Sequence, residues 1–515
     1  MIGCGIIAPM ALTREQLPKD LETLTTFALT QALELEKLRF EIAVLKRQKY
    51  GRSSEQADRE LLQMQLRLED LESQLAARPE NTQPPPKEPA FKPVRRPLPE
   101  HLPRESIVHE SACACPDCGG ALRPAGEDVA EMIEWIPERY KVIRHVRPKF
   151  SCVKCEKLVQ APAPARPIAR GLAGPGLLAH VLVSKYADHL PLYRQSQIFA
   201  RDGIDIDRST LADWVGGASE LLSPLIEALG RYVMSAGKLH ADDTPVPVLA
   251  PGRGTTKQGR LWTYVRDDRP AGAKEPPALL MRYSPDRKAE RPNAHLTAFV
   301  GVLQADGYAG FKGLYDRPKD PLIEAACWAH ARRKFFDLHA ANGSPVAAEA
   351  LARIGELYAI EDEIRGKSPD QRREVRQARA GPALAALHAW LHEQLSKVAR
   401  KSQFALAIRY TLSRWTALTR YRDDGRIEID NNAAERSLRA VALGRKNWLF
   451  AGCDDGGERA AGIYSLLGTA QLNGLNIEAY LRHLFERLPE HPINRIDELL
   501  PWAIVDKLPD LKLAA

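Results

Sequence analysis

Residues 238–249 read KLHADDTPVPVL, and they decide how the rest of the chain is parsed. Leu239, Ala241, Thr244, Val246 and Val248 belong to a strand, yet Asp242 and Asp243 sit in the middle of it. Moving a carboxylate into an apolar strand is costly unless it is ion-paired or holds a cation. A metal explains the pair economically; a salt bridge is the competing explanation for each acid taken singly.

Outward from this stretch the strand-like pattern continues as LWTYVRDD (261–268), ALLMRYSP (278–285), FVGVLQADGYAGF (299–311) and IEAACWAH (323–330). The third and fourth segments are separated by a helix-like stretch around Ala289 to Ala298, and the fifth leads into a helix. Three strands in hairpin-like succession, a helix, then two strands alternating with helices match the ribonuclease H-like order. In that order the first and fourth strands lie side by side. An acid on the first, Asp242, and one ending the fourth, Asp306 before Gly307, can then face one site; for Asp306 a turn cap is the plain alternative.

After the fifth segment the apolar positions Leu351, Ile354, Leu357 and Ile364, then Leu384, Leu387, Leu391 and Val398, predict an all-helical insertion. GRIEIDNNAAERSLRAVALGRKNWLF (425–450) follows. Its Asp430-Asn431-Asn432 cluster can cap a helix carrying Glu435, Arg436 and Arg439. Glu435 would reach the site from this late helix; pairing with Arg439 one turn on is the bland reading.

N-terminal to the core, Asp207-Arg208-Ser209 starts a helix after Gly203 ends another, the outline of a helix-turn-helix or of a plain helical hairpin. In the first case Arg208 and Ser209 would meet DNA. Further upstream lie Cys115-Pro-Asp-Cys118 and Cys152-Val-Lys-Cys155. Each CxxC makes a tight turn aiming two thiolates at one ion, so the two pairs predict a structural zinc on a ribbon-like β module, with Cys113 as a spare. Residues 84–103 (PPPKEPAFKPVRRPLPEHLP) read as a Pro-rich basic linker carrying Lys87, Lys92, Arg95 and Arg96. Before it, Leu24, Ala28, Gln31, Leu35, Leu38, Ile42 and Leu45, then Leu61, Met64, Leu68, Leu71 and Leu75, recur at coiled-coil spacing. They suit self-association or two helices packed within one chain.

Length and composition fit this layout. A chain of 515 residues with 44% hydrophobic and 27% charged residues is an ordinary globular polypeptide with room for several domains. A net charge of +7 leans toward a polyanionic partner. There is no run of about 20 apolar residues to span a membrane. The apolar opening MIGCGIIAPMAL lacks the basic flank of a signal peptide, and Met10 is a second possible start. The location expected is therefore the cytoplasm.

The expected architecture is a multidomain α+β chain: a coiled-coil region (1–80), a linker (81–106), a zinc-binding module (107–165) and a helical, helix-turn-helix-like region (166–235). The ribonuclease H-like α/β core follows in two parts (236–340 and 423–465), split by the all-helical insertion (341–422) and closed by a helical C-terminal element (466–515).

The chain resembles the insertion-sequence-66 family of DDE-type transposases. The resemblance runs through KYGRSSEQ (49–56), the two CxxC pairs, KYADHLPLYRQSQIF (185–199), LHADDTPVPVL, QADGYAGF, CWAHARRKF, EIDNNAAERSLR, GRKNWLFAGCDDGGERAAGIYSLL (444–467) and IDELLPW (496–502). It implies that Asp242, Asp306 and Glu435 form the catalytic triad and hold two Mg²⁺ or Mn²⁺ ions for cleavage and joining of DNA. Where the family commonly has Asp-Glu-Thr this chain has Asp242-Asp243-Thr244, so Asp243 competes with Asp242 as the ligand. His330, Arg332, Arg333 and Lys334, with Arg436, Arg439, Arg445 and Lys446, are placed to contact phosphates. Trp328 and Trp448 read as core, Cys453 as incidental, and Cys327 with His330 as a minor metal-ligand candidate.

The partners implied are the element's terminal repeats, target DNA, a second copy of the chain and helper proteins of the same element, with a nucleoid location in a bacterial cytoplasm. A non-catalytic DNA-binding regulator and a metal-dependent nuclease that cuts without joining are the alternatives. The triad argues against the first, and reaction products separate the second.

Overall fold

Two long paired strands build the N-terminal part of the described fold. In this computed structural model the described residues are 98–136, 139–169, 171–249, 256–444, 447 and 451–505. The expected coiled coil, most of the linker with its four basic residues, and Arg445, Lys446 and Trp448 lie outside them. Strands β1 (Arg104–Val108), β2 (Leu122–Ile136), β3 (Arg139–Cys152) and β4 (Leu158–Gln160) form a sheet in the order β1-β3-β2, with β4 on β3. β1 starts at Arg104, inside the expected linker, because its residues pair in parallel with Val142 to Val146. β2 and β3 are antiparallel from Leu122↔Cys152 to Ile136↔Arg139, interrupted between Pro124 and Glu127.

Helices α1 (Pro175–Tyr186), α2 (Leu192–Arg201) and α3 (Arg208–Met234) follow. The buried Glu134 of β2 accepts the Leu177 N–H at 2.8 Å at the start of α1, a carboxylate placed on free donors of a helix N-terminus. Between α2 and α3 the chain turns at Gly203, φ 73°, a left-handed conformation that suits glycine. The helix–turn–helix outline is thus present. Asp207 is the N-cap residue of α3 and makes no side-chain capping hydrogen bond.

The second sheet holds β5 (Lys238–Leu249), β6 (Thr256–Arg266), β7 (Ala278–Ser284), β8 (Val302–Gln304) and β9 (Ile323–Ala325), in the order β7-β6-β5-β8-β9. β5, β6 and β7 are joined antiparallel, while β5–β8 and β8–β9 are parallel. Helix α4 (Glu290–His295) precedes β8. The first and fourth core strands are neighbours, as the pattern of segments predicts. Gly301, φ 140°, permits this: a Cβ there would stand 2.2 Å from the Gly237 carbonyl oxygen, which accepts the Val302 N–H.

After β9 come α5 (Trp328–Asn342), α6 (Pro345–Ile364), α7 (Pro369–Val375), a π-helical turn (Arg376–Ala380), α8 (Gly381–Lys397) and α9 (Gln403–Ser413). Trp328, Phe335, Ile354, Leu357, Leu384, Leu387 and Leu391 share one buried cluster with Val302 of β8 and Ala325 of β9, so these helices pack onto that edge of the sheet. Their centre is also polar. Glu361 receives both Arg376 Nε at 2.7 Å and Arg376 Nη2 at 2.6 Å, while Arg372 reaches Glu361 at 3.2 Å and Glu428 at 2.8 Å. Both guanidinium groups are buried. The network links the insertion to the segment that leads on to Glu435.

That segment ends in α10 (Asn432–Ser437), and α11 (Asp454–Leu472) and α12 (Ile477–Arg487) complete the fold. Ser465 and Thr469 of α11 accept the Met281 and Leu279 N–H groups of β7. A continuous apolar core joins Val142 of the first sheet, α1, α3, the second sheet, α11 and α12. The expected boundary between residues 465 and 466 therefore falls within one helix, and the helical region and C-terminal element share the core of the sheet.

Candidate functional site

Two sets of polar side chains stand apart in the fold, four thiols and a group of carboxylates. In the first, Cys115 Sγ is 3.5 Å from Cys155 Sγ, and Cys118 Sγ is 3.4 Å from both Cys152 and Cys155 Sγ. Four thiolates at Zn–S distances of about 2.3 Å stand roughly 3.8 Å apart at the corners of a tetrahedron, so the set fits one zinc ion. The two knuckles match. Gly119 N–H donates to the Cys115 carbonyl at 2.9 Å and Glu156 N–H to the Cys152 carbonyl at 3.0 Å. Gly119 and Glu156 are both left-handed, φ 65° and 55°. Cys113 is exposed and outside the four-thiol group.

The second group contains the acids. Asp242 and Asp243 are adjacent on β5, and their side chains have different surroundings. Asp243 is held by Arg260 at 3.1 Å and Arg287 at 2.7 Å, with its side chain only 2% exposed. Asp242 accepts the Asp243 N–H at 2.7 Å. Burial pushes the Asp242 carboxyl up to about 7, against that donated N–H; the charges of Asp306, Asp243 and Glu435 add to the rise. Asp242 is thus the acid that shares an environment with the other two, while Asp243 is neutralised by arginine.

Asp306 follows β8 in a tight loop. Its Oδ1 accepts the Tyr308 N–H at 3.0 Å, so the turn-capping role foreseen for it is present. The loop is gripped from the insertion: Tyr410 Oη donates to the Asp306 carbonyl at 3.3 Å and Arg414 Nη2 to the Gly307 carbonyl at 3.0 Å. Tyr410 also has Lys334 and Arg414 over its ring, at 4.4 and 4.5 Å from the centroid. Sequence reading missed Arg414 and Tyr410, which occur in a helix with no motif around them.

Glu435 lies on α10, four residues after Asn431. Its ion-pair partner among the described residues is His330, at 3.7 Å, and not Arg439. Ligand atoms of Cys327, His330 and Glu435 lie within 4.8 Å of one another. The Cys327 thiol is buried, which pushes it up to about 12, and it accepts the Asn431 N–H at 3.2 Å. That thiol therefore serves as a neutral hydrogen-bond acceptor at the foot of α10. The expected cap of α10 is only partly as foreseen: Asp430 accepts the Asn432 N–H at 3.1 Å, whereas Asn431 makes no side-chain cap and turns inward.

Cationic side chains border this group. Arg332, Arg333 and Lys334 on α5 are exposed, as are Arg436 and Arg439. Arg208 and Ser209 are exposed at the start of α3, on the other side of the chain's linear order and outside the acidic group. Trp328 is fully buried and donates to the Leu418 carbonyl, a core residue as expected. Cys453 is the N-cap residue of α11 without a capping bond. No helix of the described residues is long and apolar enough to cross a membrane.

Comparison with known proteins accounts for this arrangement. The model for the transposase IS66 family matches residues 170–459, and that for the IS66 C-terminal element matches 465–502. The zinc-finger binding domain of transposase IS66 matches 112–156, around the four thiols, and the transposase C of IS166 homeodomain matches 37–107. Two proteins of Sinorhizobium fredii, both described only as uncharacterized, are similar over nearly their whole length. The protein y4hP is 42% identical across 90% of this chain and 88% of its own, and y4jD is 41% identical across 96% and 98%. With over half its length matched by the family's main model and its zinc-binding domain matched around a fitting Cys₄ group, the chain belongs to the IS66 transposase family.

Proposed function

We propose that this chain is a DNA transposase that binds the ends of its insertion sequence and carries out cleavage and strand transfer at Asp242, Asp306 and Glu435, on a ribonuclease H-like core. The observation that carries the reading is the contrast on β5: Asp243 is paired with two arginines, and Asp242 faces the negative charges of Asp306 and Glu435. Carboxylates gathered beside His330 suit hard divalent ions, Mg²⁺ or Mn²⁺, which take oxygen ligands. When bound, two such ions would stabilise charge on the attacking and leaving oxygens of phosphodiester exchange.

The chain's own groups have separable duties. Asp242, Asp306 and Glu435 supply ligand oxygens. Tyr410 and Arg414 hold the Asp306 loop in place. His330 stands beside Glu435 where it can orient that carboxylate or meet a phosphate. Arg332, Arg333, Lys334, Arg436 and Arg439 supply positive charge for DNA backbones, which positions a duplex without reading its sequence. Reading of the terminal repeats falls to the N-terminal modules, with Arg208 and Ser209 on α3 as candidates, and zinc keeps the β module folded. Dimerisation through the heptads of residues 1–80, assistance by helper proteins and a nucleoid location complete the proposal.

Joining assays test it. Labelled element ends, target DNA, helper proteins and Mg²⁺ should yield covalent donor–target joints with wild type and none with Asp242→Ala or Glu435→Gln. Joints formed at wild-type rate by either variant would overturn the assignment, and binding of ends with no cutting or joining by wild type would make the chain a DNA-binding regulator.

A further inference from the structure

We propose that Asn431 is the positioning residue that fixes Glu435 relative to Asp242, through a buried polar relay and without contact with the reacting groups. The inference rests on the reading of Asp242, Asp306 and Glu435 as one cation site. Glu435 and Asp242 come from α10 and β5, and α10 is a six-residue helix whose apolar contact is made by Ala434 and neighbouring Leu438, with Ser437 Oγ 2.8 Å from Thr263 Oγ1 of β6. Directional bonds from a single side chain can supply what apolar contact does not.

Asn431 is fully buried and all its polar groups are used. Its Nδ2 donates to the carbonyl of Ala241, the residue before Asp242, at 2.8 Å. Its Oδ1 is 3.1 Å from His240 Nδ1, and its own N–H reaches Cys327 Sγ. Its carbonyl accepts the Ala434 and Glu435 N–H groups at 3.1 and 3.3 Å, so the bond to β5 and the first turn of α10 share one residue. Three elements, β5, α10 and the start of α5, meet at this point.

The relay has a defined direction. Because Asn431 Oδ1 can only accept, His240 Nδ1 carries the proton, and His240 Nε2 accepts from Lys238 Nζ at 3.3 Å. Lys238, itself buried, pairs with Asp268 at 3.0 Å. Asparagine meets the two needs together, a donor for the Ala241 carbonyl and an acceptor for His240. Aspartate would set an oxygen against the carbonyl, and alanine would leave both groups unsatisfied.

Partners that orient a metal ligand typically change metal affinity by about 10–100-fold when removed. The test is a Mn²⁺ titration of the zinc-loaded full chain, read by the electron paramagnetic resonance of free Mn²⁺, with thermal unfolding recorded on the same samples. Asn431→Ala should weaken Mn²⁺ binding at least about tenfold at a temperature where the variant is folded. His240→Leu should weaken it in the same direction, and His240→Asn, whose amide replaces the Nδ1 donor, should restore it. Wild-type Mn²⁺ affinity in Asn431→Ala, or equal affinities for His240→Leu and His240→Asn, would overturn the relay. If Asn431→Ala does not fold, the two His240 variants decide. Undiminished Mn²⁺ binding by Asp242→Ala would instead bring down the cation-site reading itself.

Discussion

The four thiols and the three acids are assembled in opposite ways. Each cysteine pair sits on a knuckle closed by its own backbone, with Gly119 and Glu156 completing equivalent turns. Tertiary structure has only to bring two preformed turns together. The acids come from β5, the loop after β8 and α10, and two of them depend on residues far along the chain: the Asp306 loop on Tyr410 and Arg414, and Glu435's helix on the bonds of Asn431 to Cys327 and Ala241. A locally built site tolerates distant change, whereas a site built by packing inherits every disturbance of the core.

The comparison breaks or sharpens at four points. The largest effect belongs to the zinc. Cys118→Ser with Cys155→Ser should abolish the single bound zinc and unfold the β module, since structural zinc contributes about 10–16 kcal/mol in small modules. Zinc content and protease sensitivity of residues 107–165 are the readouts, and a module that stays resistant without metal would end the idea that it is built around the ion.

Next comes the buried centre of the insertion. Glu361→Gln leaves Arg372 and Arg376 with an uncompensated buried charge, which typically costs about 3–5 kcal/mol. If packing of the insertion places the acids, the urea midpoint and Mn²⁺ affinity should fall together while zinc content holds. A loss of stability with unaltered Mn²⁺ affinity would separate the insertion from the site.

The third is a pH dependence with a determined sign. Asp242 ionises at about 7 when folded, above its ordinary value of 3.8. Between those values the folded state binds more protons than the unfolded state, so this residue lowers stability as pH rises from about 4 to 7. In metal-free protein Asp242→Asn should therefore change nothing at pH 4 and raise the unfolding free energy at pH 8, by up to on the order of 4 kcal/mol at about 1.4 kcal/mol per unit, read as a higher melting temperature. A variant equally affected at both values would show that the burial of this carboxyl carries no strain.

The smallest effect is expected at the neighbouring acid. Asp243→Asn removes a charge already matched by Arg260 and Arg287, and side chains at successive strand positions point to opposite faces. Mn²⁺ affinity should shift by no more than about 1 kcal/mol of Coulomb energy, roughly fivefold. A loss as deep as that of Asp242→Asn would move the ligand assignment from Asp242 to Asp243.

Much of this molecule was legible in advance because its signals are local. CxxC pairs, five strand segments with a helix before the fourth, and apolar repeats at helical spacing each depend on a few adjacent residues, and the observed elements follow them. What was missed depends on partners far along the chain. Tyr410, Arg414, Glu361, Arg372 and Arg376 occur in ordinary amphipathic helices, and nothing beside them announces a buried arginine pair or a grip on the Asp306 loop. Asn431 was read as a helix cap on good local grounds; the structure turns its side chain inward because His240 and Ala241 of β5 offer a buried donor and acceptor.

By itself the sequence determined the elements, the zinc ligands and the family, since each follows from residue type at short spacing or from many ordered motifs. Only the tertiary structure shows that Asp243 is the acid paired with Arg260 and Arg287. Alternation along β5 puts the two on different faces, but which face meets arginine is set by Arg260 of β6 and Arg287 of the loop after β7.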